Sequence, residues 1–139
     1  MSADTVRVGI VGCGGIARHY HVPSYLTNPR YRIVAACDVS ADAIEAMKLL
    51  VETIDYTHTD YRTFLREADV DLISVCTSND MHHDVVMAAI ERGIDAYCEK
   101  PMALTYAEAR EMADAAEARG IRTGVNFSHR RTPAAQLVK

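Results

Sequence analysis

The sequence predicts a doubly wound α/β domain, a parallel sheet with helices on both faces. Three observations predict it. Apolar, β-branched runs alternate with helical segments about six times, and parallel neighbours need such crossover connections. The first run ends in a glycine-rich turn that opens a helix. The short polar motifs fall where strands end, on the rim that carries ligands in this architecture.

The elements follow in order. Thr5–Val11 (TVRVGIV) is a β-branched strand ending in glycines, and a helix begins near Gly15, with Pro23 expected to bend or end it. Tyr31–Cys37 is the second strand, and Ser40 caps a helix with Ile44, Met47 and Val51 on one face. A weak third strand is expected at Ile54–Tyr56, then a short helix capped by Asp60. Asp71–Cys76 is the fourth strand; Met81, Val85, Val86, Ala89 and Ile90 form the apolar stripe of the next helix, closed by Gly93. Ile94–Cys98 is the fifth strand. Thr105 and Glu108 make a capping box for an alanine-rich helix stopped by Gly120. Arg122–Asn126 is the last strand, and 132–139 opens another helix.

Composition narrows the class. The chain has 139 residues, 49% of them apolar and 24% charged, enough for one domain with a core. Its net charge is −4, with 15 Lys and Arg scattered among 19 Asp and Glu, so no basic stripe suggests nucleic acid. The N-terminus lacks the layout of a signal peptide, and no apolar run reaches membrane-spanning length. A cytoplasmic protein with no membrane partner is expected. Cys13, Cys37, Cys76 and Cys98 show no CxxC pairing, so buried reduced thiols are expected rather than a metal site.

In GIVGCGGIARHY, Gly12, Gly14 and Ala17 make a G-x-G-x-x-A turn between strand and helix. Gly12 suits a tight turn, Gly14 admits a close pyrophosphate, and Ala17 lets the helix pack on the sheet. The free N–H groups near Gly15 and Ile16 suit an anion. Asp38 follows the second strand, 21 positions beyond Ala17. It either binds adenosine ribose hydroxyls or starts the turn before Ser40; as a ribose ligand it favours NAD over NADP. Thr77, Asn79 and His82 follow the fourth strand, where Asn79 is also a natural helix cap and His82 an ordinary exposed histidine. Lys100, between Glu99 and Pro101, either stabilises charge on a substrate oxygen or pairs with Glu99 at the surface.

Over nearly its whole length the chain resembles the N-terminal domain of the Gfo/Idh/MocA oxidoreductases, the family of glucose–fructose oxidoreductase and inositol dehydrogenase. The resemblance rests on GCGGIA at 12–17, His21 with Pro23, Asp38, TSNDMHHDVV for the T-x-N-x-x-H loop, CEKP at 98–101, and RRTPAAQLVK at 130–139. It implies a Rossmann domain over 1–126 and an exit segment over 127–139 leading to a second α/β domain. It implies NAD held at the pyrophosphate by Gly12, Cys13, Gly14, Gly15, Ile16 and Ala17, and at the ribose by Asp38. Thr77, Asn79 and His82 would lie along the cofactor, Glu99 and Lys100 would flank the nicotinamide, and Asn126 would face the same cleft. Lys100 would belong to the catalytic centre, with a Lys–Pro bond that is often cis, and Arg130 would reach toward substrate. Family members run more than twice this length, and their second domain supplies much of the substrate pocket, commonly the oligomer interface, and an Asp-x-x-x-His base that His129 does not replace. The expectation is therefore a fragment of an NAD-dependent dehydrogenase of a sugar, polyol or related hydroxyl compound, binding cofactor with little turnover. A non-catalytic dinucleotide-binding sensor or regulatory module is the alternative, and an enzyme of another reaction with bound NAD is also open to the family.

Overall fold

The computed structural model describes residues 5–128. Six strands, β1 (Val6–Val11), β2 (Tyr31–Cys37), β3 (Tyr56–His58), β4 (Leu72–Val75), β5 (Asp95–Glu99) and β6 (Thr123–Asn126), form one sheet. Every pair is parallel, in the order β3-β2-β1-β4-β5-β6. The chain starts in the middle, winds outward to β3, then returns to the other side of β1 and winds outward to β6. A crevice forms at that reversal, between the ends of β1 and β4. The register keeps the strand ends level: Val11 lies beside Cys37 and Val75, Val75 beside Cys98, and Glu99 beside Asn126.

Alternation along the strands divides the core between two faces. Val8 and Ile10 of β1 join Ile33, Ala17, Val22 and Met47 under α1 (Val22–Leu26) and α2 (Ala41–Leu50). Val11, Ile73, Val75 and Ala96 join Phe64, Val86 and Met112 under α3 (Tyr61–Glu67), α4 (His82–Glu91) and α5 (Tyr106–Arg119). Three helix starts, those of α2, α3 and α5, are the ones the sequence signals. Ser40 accepts from the Ala43 N–H, Asp60 from the Thr63 N–H, and Thr105 and Glu108 cap each other reciprocally. α5 stops at Gly120, which takes a left-handed φ of 67°.

Two elements depart from expectation. The third strand covers Tyr56–His58, not 54–56. The Thr53 hydroxyl donates to Ile33 O at 2.6 Å and the Asp55 N–H to Val34 O at 2.9 Å, so Ile54 tucks against the core before the ladder begins. Of the two outcomes expected at Pro23, a bend or an end, the end does not occur: the helix continues to Leu26. A π-helical turn, Ala17–His21, precedes the proline, and the Val22 N–H reaches Ala17 O across the wider ring. That local widening accommodates a residue that has no N–H and crowds the preceding turn. Among the described residues no helix is long and apolar enough to cross a membrane.

Candidate functional site

The glycine turn sits at the reversal point. Gly12 has φ +93°, and a Cβ there would lie 2.5 Å from the Cys76 carbonyl carbon, so only glycine lets β1 leave the sheet so close to β4. Gly14 is the opposite case: nothing lies within 4 Å of its missing Cβ, and the bare backbone faces open space. Gly15 and Ile16 continue this exposed surface, while Ala17 is buried against the sheet. The Cys13 thiol turns inward to Cys37 O at 3.6 Å, and burial pushes its pKa up to about 12. Cys37, Cys76 and Cys98 are likewise pushed up to about 12 by burial.

Asp38 takes the turn-starting role expected before Ser40. Its Oδ2 accepts the Cys13 N–H at 2.7 Å and its Oδ1 the Ser40 N–H at 2.9 Å, tying the glycine turn to the end of β2. Each carboxylate oxygen keeps a further acceptor position for a ligand hydroxyl.

A cavity opens on each side of the turn. One, of about 510 Å³, is lined by Gly12, Gly14, Asp38, Val39, Thr77 and Met81 among others. The second, of about 530 Å³, is lined by Ile16, Tyr20, His21, Glu99, Lys100 and Asn126 among others. The Thr77 hydroxyl is buried with no hydrogen-bond partner among the described residues, and so is the Arg18 Nε. A bare glycine backbone and orphaned polar atoms beside it are what a phosphate-bearing ligand would complete.

His82 corrects an expectation. It does not lie along the wall: the residue is fully buried, with Nδ1 2.7 Å from Pro101 O and Nε2 3.2 Å from Thr77 O. Its ring joins the loop after β4 to the turn after β5, so it positions Thr77 and Lys100 from behind. Asn79 is exposed on a single 3-10 turn, Asn79–Met81, and its side chain caps neither that turn nor α4. The capping alternative is thereby removed.

Lys100 is exposed, and its peptide bond to Pro101 is cis. Its ammonium has no ion-pair partner among the described residues, so it is not neutralised by Glu99. Glu99 is committed elsewhere. Its Oε1 meets His21 Nε2 at 2.8 Å and the Asn126 amide at 2.5 Å, and its Oε2 accepts the Lys100 N–H at 3.1 Å. Burial works to raise the Glu99 pKa, but the hydrogen bonds from His21, Asn126 and Lys100 hold it below the usual carboxylate range. His21 Nδ1 lies 2.8 Å from the Ser74 hydroxyl, and Tyr97 donates to Asn126 Oδ1 at 2.9 Å. Ser74 and Tyr97 are absent from the sequence-level site, and His21 entered it only as part of a motif. Arg130 lies outside the described residues.

Comparison with known proteins identifies the family. The model of the oxidoreductase family GFO_IDH_MocA, described as an NAD-binding Rossmann fold, matches residues 6–127. D-glucoside 3-dehydrogenase of Escherichia coli is 32% identical over 130 residues, 94% of this chain and 37% of that protein. Inositol 2-dehydrogenase of Salmonella typhimurium is 32% identical over 120 residues, 85% of this chain and 35% of that protein. Among solved structures, the WlbA dehydrogenase of Chromobacterium violaceum, in complex with NADH and UDP-GlcNAcA, is 25% identical with a TM-score of 0.90, covering 100% of this chain and 40% of that one. The 3-ketoreductase KijD10 of Actinomadura kijaniata, in complex with NADP, superposes with a TM-score of 0.88 at 22% identity over 97% of this chain and 41% of that one. The chain thus spans little more than a third of the length of these relatives. It belongs to the Gfo/Idh/MocA oxidoreductase family, of which it carries the NAD-binding Rossmann domain.

Proposed function

We propose that this chain is the cofactor-binding part of an NAD-dependent dehydrogenase that oxidises a hydroxyl group of a sugar, polyol or related compound. One observation carries the reading: glycine turn, Asp38 and Lys100 share one rim of the sheet, with a cavity on each side of the turn. NAD, when bound, supplies the hydride-accepting chemistry. The backbone N–H groups from Gly14 to Ile16 hold its pyrophosphate, and the Thr77 hydroxyl donates into the same region. Asp38 accepts from the adenosine ribose and opposes a 2′-phosphate by charge, which favours NAD over NADP. Lys100 holds the substrate oxygen and stabilises the negative charge that gathers there. Glu99 fixes the backbone from which Lys100 projects, and Asn126 holds Glu99.

Calorimetric titration with NADH and NADPH tests the cofactor assignment. NADH is expected to bind at least about tenfold tighter, the scale of one unfavourable charge contact of about 1.4 kcal/mol. Equal affinities remove Asp38 as the discriminating group, and no heat with either dinucleotide removes the reading itself.

A further inference from the structure

His21 is a buried titratable group beside the second cavity, with 4% of its surface exposed. Its hydrogen-bond partners differ in kind. Nε2 faces a carboxylate, Glu99, which can only accept, so this nitrogen carries a hydrogen. Nδ1 faces the Ser74 hydroxyl, which can donate or accept. With one proton on the ring, Ser74 donates to Nδ1; with two, Nδ1 donates to Ser74. Rotation of a single O–H bond keeps both states fully hydrogen-bonded inside the protein. His82 lacks this freedom, since both of its ring nitrogens face carbonyl oxygens.

Serine, histidine and carboxylate at 2.8 Å spacings resemble a nucleophilic triad. Ser74 is wholly buried, however, and has no route to a substrate. What the arrangement offers instead is a change of charge without a loss of bonds.

The other groups around His21 do not supply that change. Asn126 Nδ2 lies 3.4 Å from Nε2, and the Tyr97 ring centroid lies 5.8 Å away. Behind Ser74 stand Tyr25 and Cys76, both pushed up to about 12 by burial and so uncharged near neutral pH. Among the described residues lining this cavity, the other charged groups are Glu99 and Lys100. Lys100, Glu99 and a neutral His21 sum to zero; a second proton on the ring makes the wall positive. A positive wall opposes a cationic ligand ring and tolerates a neutral one.

We propose that His21 discriminates the two redox forms of the nicotinamide: unprotonated it admits the cationic oxidised ring, and protonated it favours the neutral reduced ring. This rests on the reading above, with the nicotinamide in the cavity beside Lys100. By reciprocity, binding of the oxidised form expels a proton from the ring, and binding of the reduced form does not.

The test is calorimetry of the complete gene product, without substrate, in two buffers of different ionisation heat, repeated at several pH values. NAD+ is expected to release more protons than NADH. The NADH-to-NAD+ affinity ratio is expected to rise as pH falls, by at most about tenfold per pH unit, the limit for a single linked proton. His21→Gln keeps a donor toward Glu99 without a titrating ring, and Ser74→Ala removes the acceptor that the second proton needs; both are expected to flatten the dependence. Equal proton counts for the two forms in the unaltered protein overturn the proposal, whether or not the variants fold. A dependence unchanged in folded His21→Gln also overturns it. If neither form binds, this inference falls together with the reading beneath it.

Discussion

Thr77 keeps a hydroxyl to which the described residues offer no partner, and burial makes that costly unless a ligand completes the bond. Thr77→Val keeps the shape and removes the hydroxyl. Its thermal stability is expected to stay level or rise by up to about 1 kcal/mol, while NADH affinity falls about tenfold; a loss of stability with unchanged affinity would make Thr77 a purely structural residue. Gly12 is the reverse case. Gly12→Ala puts a methyl against the Cys76 carbonyl at an unfavourable φ, and urea unfolding is expected to show a loss of at least about 2 kcal/mol. The sequence makes Gly12, Asp38 and Lys100 legible because each sits in a short motif at a strand end. It could not show that His21 meets Ser74 and Glu99, which lie 53 and 78 positions away and come together only through the order of the strands. A signal was present all the same: His21 falls one helical turn beyond Ala17, on the face that packs against the sheet.

Elements were legible wherever a local bond decides them. Ser40, Asp60 and the Thr105–Glu108 pair announce their helices because the capping oxygen lies within three residues of the N–H it accepts. β3 was misplaced by two residues because its bounds depend on anchors to β2 rather than on its own pattern. The π-helical turn before Pro23 has no local signature beyond the proline itself. Between α4 and α5, His83 bonds Asp84 at 3.1 Å and Glu111 at 3.0 Å. Burial works to lower its pKa, but these two carboxylates outweigh burial and raise it. A raised folded value means that the contribution is complete below the ordinary histidine range and is lost as pH rises through the folded value. Both carboxylates are more than half exposed, so the size is that of a surface pair, about 0.5 kcal/mol or less. Urea midpoints at about pH 5.5 and 8.5, either side of histidine titration, are expected to differ less in His83→Ala than in the unaltered chain.

At the scale of the whole molecule, alternation of strands and helices was enough to predict a doubly wound parallel sheet. The register that levels β1, β4 and β5 at one rim was not readable, and it is this register that gathers Gly12, Thr77 and Lys100. Function at this scale is tested by Lys100→Ala in the complete gene product. Its kcat is expected to fall at least about 100-fold, as for loss of a donor to a developing oxyanion, with NADH affinity nearly unchanged. Unaltered kcat would take the ammonium out of the chemistry. The buried imidazole of His82 has a mechanical consequence at the same scale. One ring is wedged between the Thr77 loop and the Lys100–Pro101 turn, with a nitrogen against a carbonyl of each. A single internal strut thus sets the gap between two segments that carry different residues of the site.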